Sequence, residues 1–234
     1  MARKAARRSK TRRARPSAAA APRGTSNRDK AIDALMALLA ERRLEEIGLA
    51  EIAARAGLSL SQLRAEFGGT LPILAAHIKD IDRKVLDGGA DMAEEPPRER
   101  LFDVLMRRIE AMAPYREATR SLMKSASCNP GLAFALNGLA VRSQTWMMTA
   151  AGIDAAGPRG MIRAQGLAAL FASVLRTWVD DEDEGSARTL AALDRALARG
   201  QRWSGMLNDL CRFSPGRCLR RRRRAREEDE PVAA

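Results

Sequence analysis

The sequence has few of the residues on which metal sites, disulfide frameworks and β-sheets depend. Its 234 residues include three cysteines and one histidine, too few and too scattered for a disulfide framework or an ordinary zinc site. The sequence contains 44 Ala and 26 Leu but only 6 Val, 9 Ile and 9 aromatic residues. This composition favours helices over strands. We therefore expect an all-α protein without a metal, in a reducing compartment, the cytoplasm.

Catalytic motifs and membrane spans are also missing from the sequence. There is no nucleophile-elbow pattern and no glycine-rich phosphate loop, and the single histidine, His77, falls on an apolar helical face where a packed side chain is expected. The best apolar run, residues 166–179, is short and contains Arg176. We expect neither an enzyme nor a cofactor, and no catalytic residue or transmembrane helix.

Charge of one sign is concentrated at the two ends of the chain. Residues 1–28 contain ten Lys or Arg and no acid, and residues 217–234 contain seven Arg and four acids, whereas residues 29–216 have 24 basic and 25 acidic side chains. We predict a disordered basic arm over 1–27, with a transit peptide as the alternative, and a disordered Arg-rich then acidic tail over 214–234. These ends would attract phosphate or anionic lipid.

Helical spacing of the apolar residues predicts about nine helices between the two ends. Ser26 offers a cap for the first helix, Ser59 for the third and Thr70 for the fourth, in which Leu71, Leu74 and the apolar positions after them form one face. The predicted helices cover residues 28–43, 49–56, 60–67, 71–87, 98–112, 116–125, 130–151, 159–179 and 186–213.

The second and third of these segments carry a specific pattern. It reads Ile52-Ala53-Ala54-Arg55-Ala56-Gly57-Leu58-Ser59, followed by Leu63 and Phe67. Ile52 would pack the first short helix against the core, and Leu63 would do the same for the second. Gly57 would allow a positive φ in the turn between them. Residues 28–86 thus resemble the helix-turn-helix DNA-binding domain of the tetracycline-repressor (TetR/AcrR) family of transcriptional regulators.

The resemblance implies a DNA-contacting surface on and beside the third helix. Residues 29–86 hold eight basic and nine acidic side chains, so we expect the basic arm to supply part of the attraction to DNA. Arg64, Glu66 and Thr70 replace an aromatic residue, a His or Tyr, and a Lys that the family commonly has there. The candidate DNA-binding residues are Ser59, Leu60, Ser61, Gln62, Arg64 and Thr70.

For residues 97–213 the resemblance implies a helical domain for ligand binding and dimerisation. Methionine packs adaptably around varied apolar molecules, so the aromatic and methionine side chains of this part are candidates for a ligand pocket. The candidate ligand-binding residues are Phe134, Trp146, Met147 and Phe171. The predicted function is a homodimeric repressor that binds a double-stranded DNA operator and is released by a small apolar ligand.

A second resemblance supports an alternative function. Trp178-Val179-Asp180-Asp181, then Thr189 and Leu193-Asp194-Arg195, look similar to the TetR-like lipid-binding proteins of ubiquinone biosynthesis. This implies a lipid or isoprenoid carrier with a vestigial helix-turn-helix. An apolar stripe on the last helix would serve either a dimer or body contact, or a peripheral membrane contact. Its residues are Trp203, Met206, Leu207, Leu210 and Phe213.

Overall fold

The computed structural model describes residues 26–89, 94–183 and 185–212, with side chains up to residue 200. These residues form nine α-helices and two short 3₁₀ turns, 44–46 and 113–115, and contain no strand, which confirms the all-α prediction. The basic arm, the tail and the apolar stripe at 203–213 are predictions that lie outside the described side chains. The helices are α1 Asn27–Glu41, α2 Leu49–Ala56, α3 Leu60–Glu66, α4 Thr70–Asp87, α5 Pro97–Met112, α6 Arg116–Cys128, α7 Pro130–Ala150, α8 Gly157–Val179 and α9 Ala187–Arg212.

Local capping chemistry places most helix ends within two or three residues of their predicted positions. Ser26 caps α1 as predicted, its Oγ accepting from the Asp29 backbone N–H at 3.1 Å. The predicted cap at Thr70 is wrong by one residue, because Gly69 precedes α4 and Thr70 is the first helical residue. Leu71 was expected on the packed face but is 39% exposed, since the buried face of α4 begins at Ile73.

The N-terminal core is a small apolar cluster built by α1, α2, α3 and the first half of α4, with one alanine of α6. Leu35, Leu39, Ile52 and Ile73 are all fully buried in it. Burial of each such side chain stabilises the fold by about 1.5–3 kcal/mol. This apolar packing is what holds the short helices α2 and α3, which are too brief to be stable alone.

The C-terminal core is larger and contains the second half of α4 with α5, α7, α8 and α9. Trp178 of α8, Leu105 of α5, Met147 of α7 and Leu193 of α9 are its most fully buried large side chains. The consecutive helices α7, α8 and α9 pack extensively on one another.

Helix α4 belongs to both cores. Ile73 and Leu74 lie in the N-terminal core, while Ile81 and Val85 lie in the C-terminal core. A single helix of 18 residues therefore connects the two clusters.

Candidate nucleic-acid interface

The α2–α3 segment has the geometry of a helix-turn-helix. Gly57 ends α2 with φ +65°, a left-handed conformation that glycine adopts without steric cost. The next residue, Leu58, is buried, and its backbone N–H donates to the Ala53 carbonyl at 2.9 Å. Ile52 and Leu63 are buried on either side of this turn. The pattern that predicted the motif therefore acts through packing of the turn against α1.

Helix α3 begins with a reciprocal cap formed by Ser59 and Gln62. The Ser59 Oγ accepts from the Gln62 backbone N–H at 3.1 Å, and the Gln62 Oε1 accepts from the Ser59 backbone N–H at 2.8 Å. The Ser61 hydroxyl lies 2.9 Å from the Ser59 hydroxyl. The side-chain oxygens of three candidate DNA-binding residues are thus engaged within the helix.

The exposed face of α3 presents Leu60 and Arg64, which are one helical turn apart. Leu60 is 57% exposed, and Arg64 is exposed beside Gly68. In the described part of the chain Arg64 forms no ion pair, so its charge is available to a partner. Thr70, at the start of α4, is half-buried. The DNA-contacting role of these residues stays a prediction.

Several basic residues around this motif are paired with acids of the same unit. Arg42 donates to Glu51 at 2.9 Å and Arg55 to Glu41 at 2.5 Å. Glu51 also accepts from the Gly48 backbone N–H at 3.0 Å, and this bond, together with Arg42, lowers the pKa of its carboxyl. This pairing gives the helix-turn-helix unit little net attraction for phosphate.

Helix α6 is hydrogen-bonded to the link between α1 and α2. The Ser121 Oγ donates to the Arg42 carbonyl at 2.6 Å, and the Ser125 Oγ accepts from the Leu44 backbone N–H at 3.1 Å. Ser125 is fully buried. The C-terminal helices therefore contact the helix-turn-helix unit by a second route besides α4.

A buried ion pair attaches α4 to the C-terminal core. Arg108 of α5 donates to Asp82 of α4, and both residues are buried. The Ser143 hydroxyl of α7 donates to the same Asp82 oxygen at 2.8 Å. The Arg108 guanidinium carbon lies 5.6 Å from the Phe171 ring centroid, while its Nε atom has no hydrogen-bond partner. Charge, and not only shape, thus sets the position of α4 here.

The structure does not bring the four candidate ligand-binding residues together. Met147 and Phe171 are buried in the C-terminal core, Phe171 against Arg108. Phe134 and Trp146 are 80% and 56% exposed and face away from that core. Consecutive residues of a helix are about 100° apart, which is why Trp146 and Met147 have opposite environments. A ligand role for these residues stays a prediction.

Two open clefts lie where the two cores meet, on either side of Tyr115. One, of about 250 Å³, is lined by Arg28, His77 and Asp80 among others, and the other, of about 450 Å³, by Met36 and other residues of α1 and α6. None of the four candidate ligand-binding residues lines either cleft. The cleft side chains come from separate segments, so no local sequence pattern indicated them.

His77 packs in the first cleft as the sequence predicted. Its ring makes an edge-to-face contact with Tyr115, the centroids 4.4 Å apart. Burial lowers the pKa of His77 to about 4, despite the nearby Asp80 carboxylate that acts in the opposite direction. The imidazole is therefore neutral at pH 7.

Sequence reasoning missed the Asp82–Arg108 pair, although one signal for it exists. Arg108 falls in the apolar face of α5, between the buried Leu105 and Ile109. A charged residue at such a position requires a buried partner. The partner lies 26 residues away along the chain, and only the packing of α4 on α5 identifies it.

No helix in the described residues is long and apolar enough to cross a bilayer. No group of three or more metal-ligating side chains occurs there either.

Comparison with known proteins identifies the fold. No protein-family model and no curated protein matches the chain. Among solved structures, a TetR transcriptional regulator from Nitrosomonas europaea ATCC 19718 is 24% identical with a TM-score of 0.59, covering 74% of this chain and 97% of its own. The chain therefore has the fold of TetR transcriptional regulators, as the sequence resemblance implied.

Two further structures have the same fold. A TetR transcriptional regulator from Rhodococcus sp. RHA1 is 21% identical with a TM-score of 0.51, covering 73% of this chain and 95% of its own. A TetR-family transcriptional regulator from Streptomyces coelicolor is 18% identical with a TM-score of 0.50, covering 85% and 99%.

Proposed function

We propose that this protein is a TetR-type transcriptional regulator, a repressor that binds a palindromic operator as a homodimer and is released by a small apolar ligand. The observation that carries the proposal is the capped helix α3, whose exposed face combines Leu60 with Arg64, which forms no ion pair within the described chain. The fold shared with known transcriptional regulators supports it.

The basic arm supplies the electrostatic part of DNA binding in this proposal. The helix-turn-helix unit pairs Arg42 and Arg55 with its own acids, whereas residues 1–28 contain ten basic residues and no acid. Phosphate contacts by an arm fix position without reading sequence. Sequence is read by α3, which presents its exposed face to the major groove.

Large apolar side chains exposed on α7 and α8 support the homodimer. Phe134, Trp146, Met161 and Ile162 are all more than half exposed, which is unusual for such large apolar side chains within one helical hairpin. A second copy would cover some of these side chains and place two α3 helices at a defined spacing. A dimer of this kind requires an operator with two inverted half-sites.

The two attachments between the cores support ligand control in this proposal. Helix α4 passes through both, and α6 holds the α1–α2 link through Ser121 and Ser125. A ligand that binds one arrangement of the C-terminal domain more tightly shifts the spacing of the two α3 helices. A smaller fraction of the dimers then has the spacing that fits the operator.

The lipid-carrier alternative has less support. Its main sequence feature, the apolar stripe over 203–213, lies outside the described side chains. The Trp178–Asp181 segment serves a structural purpose, because the Asp181 Oδ2 accepts from the Thr189 hydroxyl at 2.6 Å and from its backbone N–H at 2.8 Å, which caps the start of α9. We therefore do not propose the carrier function.

The proposal is tested by selection of DNA from a random duplex library with the full-length chain, followed by affinity measurement at several salt concentrations. We expect a selected sequence with two inverted half-sites. Arg64→Ala should then lose about 1–3 kcal/mol per half-site on that sequence, the value of one base contact, with an unchanged unfolding temperature.

Arg142→Ala is the matched control, because Arg142 is an exposed arginine of α7 without an ion pair in the described part of the chain. It should bind DNA like the parent chain. Failure to select any sequence, or equal losses in the two variants, would contradict the proposed function.

A further inference from the structure

Leu60 is an exposed apolar side chain in the middle of polar surroundings. It is 57% exposed, more than Leu49 and Leu71, the other exposed large apolar residues of the helix-turn-helix unit in the described chain. A single exposed leucine on a protein surface is ordinary. Its position is not, because Leu60 shares the exposed face of α3 with Arg64 in the candidate nucleic-acid interface.

The polar neighbours of Leu60 are turned toward their own helix. The Ser59 hydroxyl and the Gln62 carbonyl oxygen are both used in the reciprocal cap, and the Ser61 hydroxyl lies against that of Ser59. Bidentate recognition of adenine by glutamine requires its oxygen and its nitrogen together on the base edge. The cap holds the Gln62 amide against the start of α3, so it is not placed for such a contact.

Among the exposed side chains of α3, Leu60 is the large apolar one and Arg64 the basic one, and Ala65 and Glu66 lie at its C-terminal end. The major groove offers one apolar feature to a side chain such as Leu60, the C5 methyl group of thymine. We propose that Leu60 packs on a thymine methyl and makes thymine the specified base at one position of each half-site. This inference rests on the proposed function as a DNA-binding regulator.

The spacing of the two side chains gives the position of that thymine. Residues four apart on a helix are displaced by about 6 Å along its axis, the height of about two base pairs. Arg64 therefore contacts the operator within about two base pairs of the thymine that Leu60 reads. Each half-site therefore contains a thymine at a fixed short distance from a second base position. That second position is the one at which Arg64→Ala loses its base preference.

The test uses the operator selected with the full-length chain. Each thymine is replaced in turn, at the symmetric positions of both half-sites, by deoxyuridine, which lacks only the methyl group. At one position we expect a loss of about fourfold per half-site, the value of one buried methyl group. In Leu60→Ala the same replacement should cost less than twofold.

Leu71→Ala is the matched control, because Leu71 is the exposed leucine at the start of α4. It should keep the full deoxyuridine penalty. 5-Methylcytosine, paired with guanine, presents the same methyl group at this position. The parent chain should bind it more tightly than unmethylated cytosine there, and Leu60→Ala should not. Circular dichroism should show the same helix content in all three proteins.

Three results would overturn the inference while leaving the regulator function intact: no deoxyuridine-sensitive position, a penalty equally large in Leu60→Ala, or a penalty abolished by Leu71→Ala. Absence of any selected sequence is a different result, which overturns the proposed function itself.

Discussion

The two cores of this protein differ in what they bury. Among the described residues, the N-terminal core is apolar, and the ion pairs beside it are exposed, as Arg42 with Glu51 at about 40% of each side chain, or half-buried, as Arg28 with Asp80. In the C-terminal core the Asp82 and Arg108 side chains are 11% and 7% exposed, and the Asp82 carboxylate also accepts from the Ser143 hydroxyl. The first core depends on shape and the second on both shape and charge.

This difference determines how each core responds to change. A surface ion pair contributes about 0–1 kcal/mol, because water and salt screen it. A buried pair has a large desolvation cost, and removal of one partner leaves an uncompensated charge. The attachment of α4 to the C-terminal core is therefore sensitive to single substitutions, whereas the helix-turn-helix unit tolerates loss of its ion pairs.

The largest expected effect comes from Arg108→Met. The substitution leaves Asp82 buried without its cation and should lower the free energy of unfolding by about 3–5 kcal/mol. Urea denaturation at pH 7 measures it. Arg142→Met, at an exposed arginine, is the control and should change stability by less than about 0.5 kcal/mol.

The added substitution Asp82→Asn should recover part of the loss in the Arg108→Met background, because it removes the buried charge. Equal stabilities of Arg108→Met and Arg142→Met would show that charge does not hold α4, and the contrast between the two cores would disappear.

A smaller effect is expected from pH at the boundary of the two cores, where His77 contacts Tyr115. Burial lowers the pKa of His77 from its ordinary value of 6.5 to about 4 in the folded protein. As pH falls, the unfolded chain therefore binds the His77 proton before the folded protein does. The free energy of unfolding has its full value above pH 7 and decreases below it. We expect a loss of about 2 kcal/mol between pH 7 and pH 5.

His77→Phe keeps an aromatic ring against Tyr115 and removes the titrating group. Because His77 is the single histidine of the chain, this variant should show little pH dependence above pH 5. Unfolding free energies from denaturant titrations at pH 7, 6 and 5 test this. An unchanged slope in His77→Phe would assign the pH dependence to other groups.

The smallest effects concern the helix cap and the surface ion pairs of the N-terminal core. Ser59→Ala removes the side-chain acceptor at the start of α3 and should cost about 1 kcal/mol. Arg55→Ala breaks the exposed pair with Glu41 and should cost less than about 0.5 kcal/mol. Thermal unfolding of both variants measures the difference. A larger cost for Arg55→Ala would mean that surface charge, not capping and packing, holds this unit.

Much of the helix-turn-helix was predictable because its determinants are local. Ser26, Gly57 and Ser59 each act on backbone groups within four residues, so their effect follows from sequence neighbours alone. The cap predicted at Thr70 is misplaced by one residue, because the helix begins at Thr70 itself and Gly69 precedes it.

The candidate ligand residues were less predictable, for a physical reason. Helical spacing shows that two residues share a face but not which other helix covers that face. Met147 and Phe171 are buried in the C-terminal core. Phe134 and Trp146 stay more than half exposed in the described chain. All four are large apolar residues of helices, and their environments differ.

The sequence by itself determined the class of fold, the order of the helices and the helix-turn-helix, because composition, caps and apolar spacing act over a few residues. Tertiary structure alone decided that Asp82 pairs with Arg108, that Ser121 and Ser125 hold the α1–α2 link, and that His77 lies beside Tyr115. Each of these contacts joins residues that are 26 to 81 positions apart. Such contacts depend on how whole helices pack, and a local pattern contains no information about that packing.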